Sequence, residues 1–295
     1  MSGVRLCQTR PPTNHVPFAD PLTSGCRQPP DEPVRHTPLP DLTGKHGLVV
    51  GVANKRSISW AIAQAAGEAG ARLALTYQGE RLEENVRDLS ETLESPIVMP
   101  CDVTNEQQIT DLVAAIDREF GGLDFLVHGA AFALQSELKN SFVETSREGF
   151  RIALDVSAYS LIALTRAVLP LMERRGGGSV LTLTYLGSQR AFPNYNVMGV
   201  AKAALEASVR YLASDLGPKN IRVNAVSAGP VKTLAAMGIS GFSDILHVYR
   251  DRSPMRRNIE VREIADAAVF LLGPQSRGIT GEVLFVDGGF HVSGT

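Results

Sequence analysis

Two side chains in this 295-residue chain could do chemistry together: Tyr195 and Lys202, seven residues apart in YNVMGVAK. If the stretch is helical, that spacing is two turns, and both side chains leave one face. A phenol titrates near pH ~10, and an ammonium fixed beside it favours the phenolate and makes the hydroxyl a stronger hydrogen-bond donor. Such a donor could hold an oxyanion. The plain alternative has Tyr195 filling a helix start and Lys202 lying in solvent. Spacing alone does not separate the two.

The surrounding run, LTLTYLGSQRAFPNYNVMGVAKAALEA, changes character in the middle. Leu and Thr alternate up to Tyr185 and Leu186, which predicts a buried strand ended by Gly187 and Ser188. Pro193 and Asn194 read as a helix start with Asn194 as cap, and Gly217 and Pro218 stop a helix spanning 195–216. From Gly47 onward such runs alternate. Strands are expected at 47–52, 72–77, 96–101, 124–129, 179–186, 222–227 and 282–286, with helices near 58–69, 80–94, 105–119, 144–174, 195–216 and 260–272. The alternation predicts a single α/β, doubly wound Rossmann-type domain: a seven-stranded parallel sheet with helices on both faces. Folds of this kind bind ligands at the carboxyl ends of the strands, beside the switch in strand order.

The first turn fits a dinucleotide. Strand GLVVG leads through Gly51 into a helix whose start, near Ser57 and Ile58, offers free amides to a pyrophosphate. The usual second and third glycines are absent, and Ser57 and Ser59 stand in their places. Gln78 follows the second strand, where a nucleotide fold reads the adenosine ribose. Asp102 and Val103 follow the third; Asp102 suits either an adenine amino group or a cap for the helix at 105–119. Gly129, Ala130 and Ala131 end the fourth with small residues that let a flat ring approach the backbone. After strand six, Ala228, Gly229 and Pro230 make a turn, and Thr233 suits a phosphate contact.

Composition excludes several classes. A net charge of -2 shows no basic excess and argues against nucleic acid as the main partner. No apolar run reads as long enough to span a membrane. Residues 1–40 hold 9 of the 17 prolines and no apolar period, so a disordered Pro-rich N-terminal extension is expected there, with the Rossmann-type domain at 41–295. The extension lacks a signal-peptide core, and the expected location is cytoplasmic. Cys7, Cys26 and Cys101 suggest neither disulfides nor a metal site. His128, inside the strand FLVHGA, reads as a satisfied core histidine.

These motifs resemble the short-chain dehydrogenase superfamily, and within it the type I, NADH-using enoyl-acyl-carrier-protein reductases. Most of the superfamily places Tyr four before Lys and Ser thirteen before that Tyr; here those positions hold Met198 and Tyr185. YLGSQRAFPNYNVMGVAKAALEASVRYLA, REGFRIALDVSAYS, RVNAVSAGPVKTLAA and GEVLFVDGGF all look like the reductase branch, across the whole domain. The resemblance implies reduction of trans-2-enoyl thioesters in fatty acid biosynthesis, with NADH as cofactor. It implies catalytic roles for Tyr185, Tyr195 and Lys202, with Lys202 also on the nicotinamide ribose. It implies cofactor contacts at Gly51, Ser57, Ile58, Gln78, Asp102, Val103, Ala130, Val231, Lys232, Thr233, Leu234 and Ala235, and substrate contacts at Ala133, Met198, Ile239 and Phe242. A homotetramer is implied too.

Two rival functions remain at this point: a carbonyl reductase of the same fold, and an NAD(H)-binding regulator without catalysis. The thioester partner is acyl carrier protein or coenzyme A. In GISGFSDILHVYRDRSPMRR, Ser240, Gly241, Ser243 and Asp244 stand where basic residues would face an acidic carrier. Arg250, Arg252, Arg256 and Arg257 are the candidates to replace them.

Overall fold

Seven apolar runs form strands in a computed structural model that describes residues 41–93, 97–237 and 241–293. They are β1 (His46–Val50), β2 (Arg72–Tyr77), β3 (Ile97–Pro100), β4 (Phe125–His128), β5 (Gly178–Thr184), β6 (Ile221–Ala228) and β7 (Val283–Val286). The connecting helices are α1 (Ile58–Glu68), α2 (Glu83–Ser90), α3 (Glu106–Phe120), α4 (Gln135–Lys139), α5 (Arg147–Leu154), α6 (Ser160–Arg174), α7 (Asn196–Leu216), α8 (Leu234–Met237), α9 (Phe242–Arg252) and α10 (Val261–Leu272).

All strand pairs are parallel, in the order β3-β2-β1-β4-β5-β6-β7. The chain winds outward from β1 to β3, then returns to the other side of β1 to lay down β4, so the switch in order lies between β1 and β4. Both faces are covered, which explains why the central strands read as unbroken apolar runs. Trp60, Ile62, Ile264 and Val269 of α1 and α10 pack on one face. Leu112, Leu161, Leu164 and Leu205 of α3, α6 and α7 pack on the other.

Local chemistry sets the helix ends. Ser57 caps α1 by accepting from the Trp60 amide at 3.3 Å. Asn105 caps α3, accepting from Gln107 and Gln108, and Gly121 ends that helix at φ 67°. Glu260 and Glu263 form a reciprocal capping box on α10.

Several expectations are corrected. Asn194 does not cap α7: it sits at φ 60°, Tyr195 is the N-cap residue, and the first helical residue is Asn196, itself at φ 38°. The helix expected at 144–174 is α5 and α6 joined through a π-turn at Asp155–Tyr159. The widened turn carries Ser157 and Ser160 inward, where Ser160 meets the buried His128 and Ser157 meets the backbone of Phe132. Asp102 is not the cap of α3; it closes its own turn by accepting from Thr104 N at 2.9 Å and Thr104 Oγ1 at 2.7 Å. The helix Arg147–Arg174 is long and apolar enough to cross a membrane, with a mean hydropathy of 1.6 over its most apolar window, contrary to the length argument. Half of that window is buried inside the fold, against the sheet and α7. The expectation for residues 1–40 lies outside the described residues.

Candidate active site

α7 crosses the carboxyl end of β5, and its inward face carries two charged residues one turn apart. Lys202 is 6% exposed and Glu206 5%. The Lys202 ammonium donates to the Leu183 carbonyl at 2.8 Å. Burial pushes its pKa down to about 8, against the pull of Glu206. Glu206 accepts from the Thr184 hydroxyl at 2.7 Å and the Ser188 hydroxyl at 2.6 Å. A solvent-exposed Lys202 is therefore ruled out. An ammonium has three N–H donors, so two are left for another partner.

Tyr195 stands at the start of the same helix, on a turn built from glycine. A Cβ at Gly187 would lie 2.5 Å from the Tyr195 ring, and one at Gly199 would lie 2.7 Å from the Gly187 carbonyl. The Tyr185 ring meets the Tyr195 ring edge-on, 5.1 Å between centroids and 69° between planes, and Phe192 packs on Tyr185 at 5.1 Å. Burial pushes the Tyr195 hydroxyl well above its ordinary pKa, and Tyr185 and Glu206 add to the shift. Lys202 is not among the groups that shift it. The phenol stays protonated, which is the form that donates a hydrogen bond to an oxyanion. Tyr185 is pushed up to about 12, again mainly by burial.

A small apolar cluster ties the substrate-side residues to this pair. Ala133 and Tyr195 pack, partly buried, against Ala153, Val197, Met198 and Ala201. Asn196 holds the neighbouring loop: its side-chain amide faces the carbonyls of Glu137, Leu138 and Asn140 at 3.4, 3.2 and 2.7 Å. Glu137, buried, accepts in turn from the Ser146 amide at 3.1 Å and hydroxyl at 2.7 Å.

The nucleotide-side residues collect along the same sheet edge. Gly51 follows β1 at φ 90°, and a Cβ there would lie 2.7 Å from the Gly129 carbonyl at the end of β4. A Cβ at Gly129 would lie 2.0 Å from the Ser59 hydroxyl, so β1, β4 and the start of α1 meet at the strand-order switch with no room for side chains. Ser57 and Ile58 open α1 and present first-turn amides. Gln78, just beyond β2, donates to Asp102 at 3.3 Å. Burial raises the Asp102 carboxyl, but hydrogen bonds from Thr104 and Gln78 outweigh it and hold the pKa below the ordinary value. Val103 and Ala130 lie partly buried on the core. These features fit a dinucleotide: a glycine-lined switch, a helix start, and a neutral amide paired with an anionic carboxylate.

Past β6, Val231 is buried and Lys232 exposed. The Thr233 hydroxyl accepts from the Ala236 amide at 3.0 Å, and Leu234 and Ala235 open α8. Phe242 opens α9. Ile239 lies outside the described residues.

One residue not foreseen as part of the site, Tyr249, completes it, and His128 is the satisfied core histidine that was expected. Tyr249 of α9 is 2% exposed, donates to the Tyr185 hydroxyl at 3.2 Å and stacks on Phe290 at 3.7 Å. Its helix is rich in charge, and only the spacing of Phe242, Ile245 and Tyr249 marks an inward face. His128 is buried between the hydroxyls of Thr182 and Ser160, each 2.8 Å away. Burial, with the Lys202 charge, pushes it down to about 3, so it is neutral.

The model of the family described as enoyl-(acyl carrier protein) reductase matches residues 51–291. The NADH-type enoyl-[acyl-carrier-protein] reductase FabI of Bacillus subtilis is 52% identical over 254 residues, covering 85% of this chain and 98% of that protein. Among solved structures, the Bacillus cereus enoyl-acyl carrier protein reductase with NADP+ and indole naphthyridinone is 51% identical, with a TM-score of 0.84 over 86% of this chain and 99% of its own. The Anaplasma phagocytophilum reductase in complex with NAD is 46% identical, with a TM-score of 0.83 over 86% of this chain and 96% of its own. With its fold and these relatives in agreement, the chain belongs to the enoyl-acyl-carrier-protein reductase family.

Proposed function

We propose that this protein reduces the trans-2 double bond of enoyl thioesters with NADH, as a step of fatty acid biosynthesis. The observation that carries the reading is that α7 presents Tyr195 at its start and a buried Lys202 ammonium two turns on, anchored at the carboxyl end of β5. When bound, the nicotinamide supplies the hydride equivalent that reduces the β-carbon. Tyr195 then donates a hydrogen bond to the thioester oxygen as negative charge develops there, a type of contribution worth about 3 kcal/mol, and a solvent proton reaches the α-carbon to complete the reduction. Lys202, anchored by Leu183, turns its remaining donors to the ribose hydroxyls. Gln78, neutral and braced by Asp102, accepts a free ribose hydroxyl, whereas a 2′-phosphate would call for a cation at that place. Ala133 and Met198 flank the acyl chain.

A carbonyl reductase of this fold needs an acidic hydroxyl four residues before Lys202, and Met198 supplies a thioether there. The deciding experiment follows NADH absorbance with crotonyl thioester and, separately, with a ketone. Oxidation with the thioester alone is expected; oxidation with the ketone alone supports the rival, and none with either supports a non-catalytic role.

The family reading extends to partners. Phe150, Tyr159 and Tyr211, 40, 46 and 80% exposed, lie on α5, the π-turn and α7, and supply apolar surface for a homotetramer. For the acidic carrier, Arg250 is paired with Asp251 at 2.8 Å and Arg257 with Glu263 at 2.6 Å. Arg256 donates to the Asp251 carbonyl. Arg252 makes no ion pair among the described residues, so carrier docking falls mainly to it and stays salt-sensitive. A cytoplasmic location suits this chemistry.

A further inference from the structure

We infer that Tyr249 is a positioning residue for the reaction: by donating its hydroxyl to Tyr185, it leaves the single Tyr185 proton free to face the thioester substrate. The inference rests on the enoyl reductase reading of the site. A phenol oxygen can accept while it donates, but it has only one proton to give. The two hydroxyls are 3.2 Å apart, and the two rings lie 6.5 Å apart at 27°, so they meet through their oxygens rather than their faces.

Burial settles which one donates. Tyr249 is 2% exposed and surrounded by Phe290, Leu186, Ile245 and the Tyr185 ring. If Tyr185 were the donor, the Tyr249 proton would point into apolar packing without a partner, an expensive arrangement. With Tyr249 as donor, the buried proton is satisfied and the Tyr185 proton lies on the open side, since Tyr185 is only partly buried. Tyr185 in turn rests edge-on against Tyr195. A second neutral donor thus stands beside the first.

The orientation is fixed from the chain's last strand. Phe290 stacks on Tyr249 at 3.7 Å and 16°. Phe290 follows a turn locked by Asp287, which accepts from the Gly289 and His291 amides at 2.9 Å each. α9 therefore reaches the reacting centre through one hydroxyl, two helical turns from Phe242.

The test is a double-mutant cycle of Tyr249→Phe and Tyr185→Phe, with kcat and KM measured on crotonyl thioester and NADH affinity by titration. Tyr249→Phe keeps the ring stack and removes one oxygen. Expected is a fall in kcat of about fivefold, the size of one neutral hydrogen bond, with NADH affinity unchanged. In the Tyr185→Phe background, the same change should move kcat by less than about twofold, because the oxygen it acts through is gone. Wild-type kcat in Tyr249→Phe, the same loss in both backgrounds, or loss of NADH binding would each overturn the inference. Wild-type protein is the control that separates the two readings. If it does not oxidise NADH with the thioester, the function itself is wrong; if it does and the cycle is additive, only the role of Tyr249 is.

Discussion

Replacing Asn196 should uncouple the substrate-side loop from the helix that presents Tyr195. Its amide nitrogen has two protons and faces three carbonyls at 3.4, 3.2 and 2.7 Å, so it serves the Leu138 and Asn140 carbonyls best. Two neutral hydrogen bonds at a partly exposed site contribute about 1–2 kcal/mol in all. Asn196 also sits at φ 38°, which Asn tolerates and Ala does not, adding about 1 kcal/mol for an alanine there. Asn196→Ala should thus cost about 2–3 kcal/mol and lower the thermal midpoint by roughly 4–10 °C in a domain of this size. Asn196→Gly loses the amide but not the backbone freedom, and should cost about 1 kcal/mol less.

The loop carries Ala133 and Leu138 against Met198 and Tyr195, so both variants should raise KM for the thioester and leave NADH affinity alone. Differential scanning calorimetry and steady-state kinetics give the two readouts. Equal midpoints for the Ala and Gly variants would refute the backbone argument. An unchanged thioester KM would refute the coupling.

Three further outcomes are expected. Lys202 is held at about 8 in the fold against an ordinary 10.5, so the unfolded chain keeps its proton to higher pH, and wild-type stability should rise between those values by roughly 3 kcal/mol. Lys202→Met should lose that rise in pH-dependent denaturant melts, together with any weakening of NADH binding above pH about 8. His128, at about 3 against an ordinary 6.5, contributes stability that is fully present above 6.5 and is lost as pH falls toward 3. His128→Phe should be less stable at neutral pH yet show an acid slope flatter by roughly 3–5 kcal/mol over that window, and an unaltered slope would count against it. Gly187→Ala puts a methyl 2.5 Å from the Tyr195 ring, so kcat should fall by about 100-fold with NADH affinity kept. Unchanged kcat would show that the turn has slack.

Most of the framework was legible because parallel strands buried on both faces leave apolar runs, and all seven strands lie within a few residues of where they were expected. Gly51, Gly129, Tyr195 and Lys202 were legible for a related reason: a glycine at a strand end marks a close approach of backbone, and a Lys stands out on an Ala-rich helix face. α9 was not. Its sequence FSDILHVYRDR buries only Tyr249 and carries charges around the rest, so its apolar signal is too thin to stand out. The π-turn was hidden because ALDVSAYSLIAL keeps helical composition straight through it, and the extra residue shows only in where Ser157 and Ser160 point. The start of α7 was misplaced because Asn194 has the composition of a cap, while its left-handed backbone serves to turn the chain into Tyr195.

The charge state of the tyrosine is what spacing could not tell, and it narrows the chemistry. The spacing of Tyr195 and Lys202 suggested a hydroxyl strengthened as a donor by a neighbouring ammonium. In the fold the ammonium gives one of its three donors to Leu183 and is balanced by Glu206, whose own charge raises the Tyr195 pKa. Passing the Tyr195 proton fully to substrate would leave a phenolate beside Glu206 and the Tyr185 ring in a partly buried site, which the same burial that raises its pKa opposes. Donating a hydrogen bond to a developing oxyanion costs no such charge separation, and a neutral, preoriented donor needs no rearrangement when the charge appears. The electrostatics of this helix therefore favour Tyr195 as a fixed hydrogen-bond donor over Tyr195 as an acid.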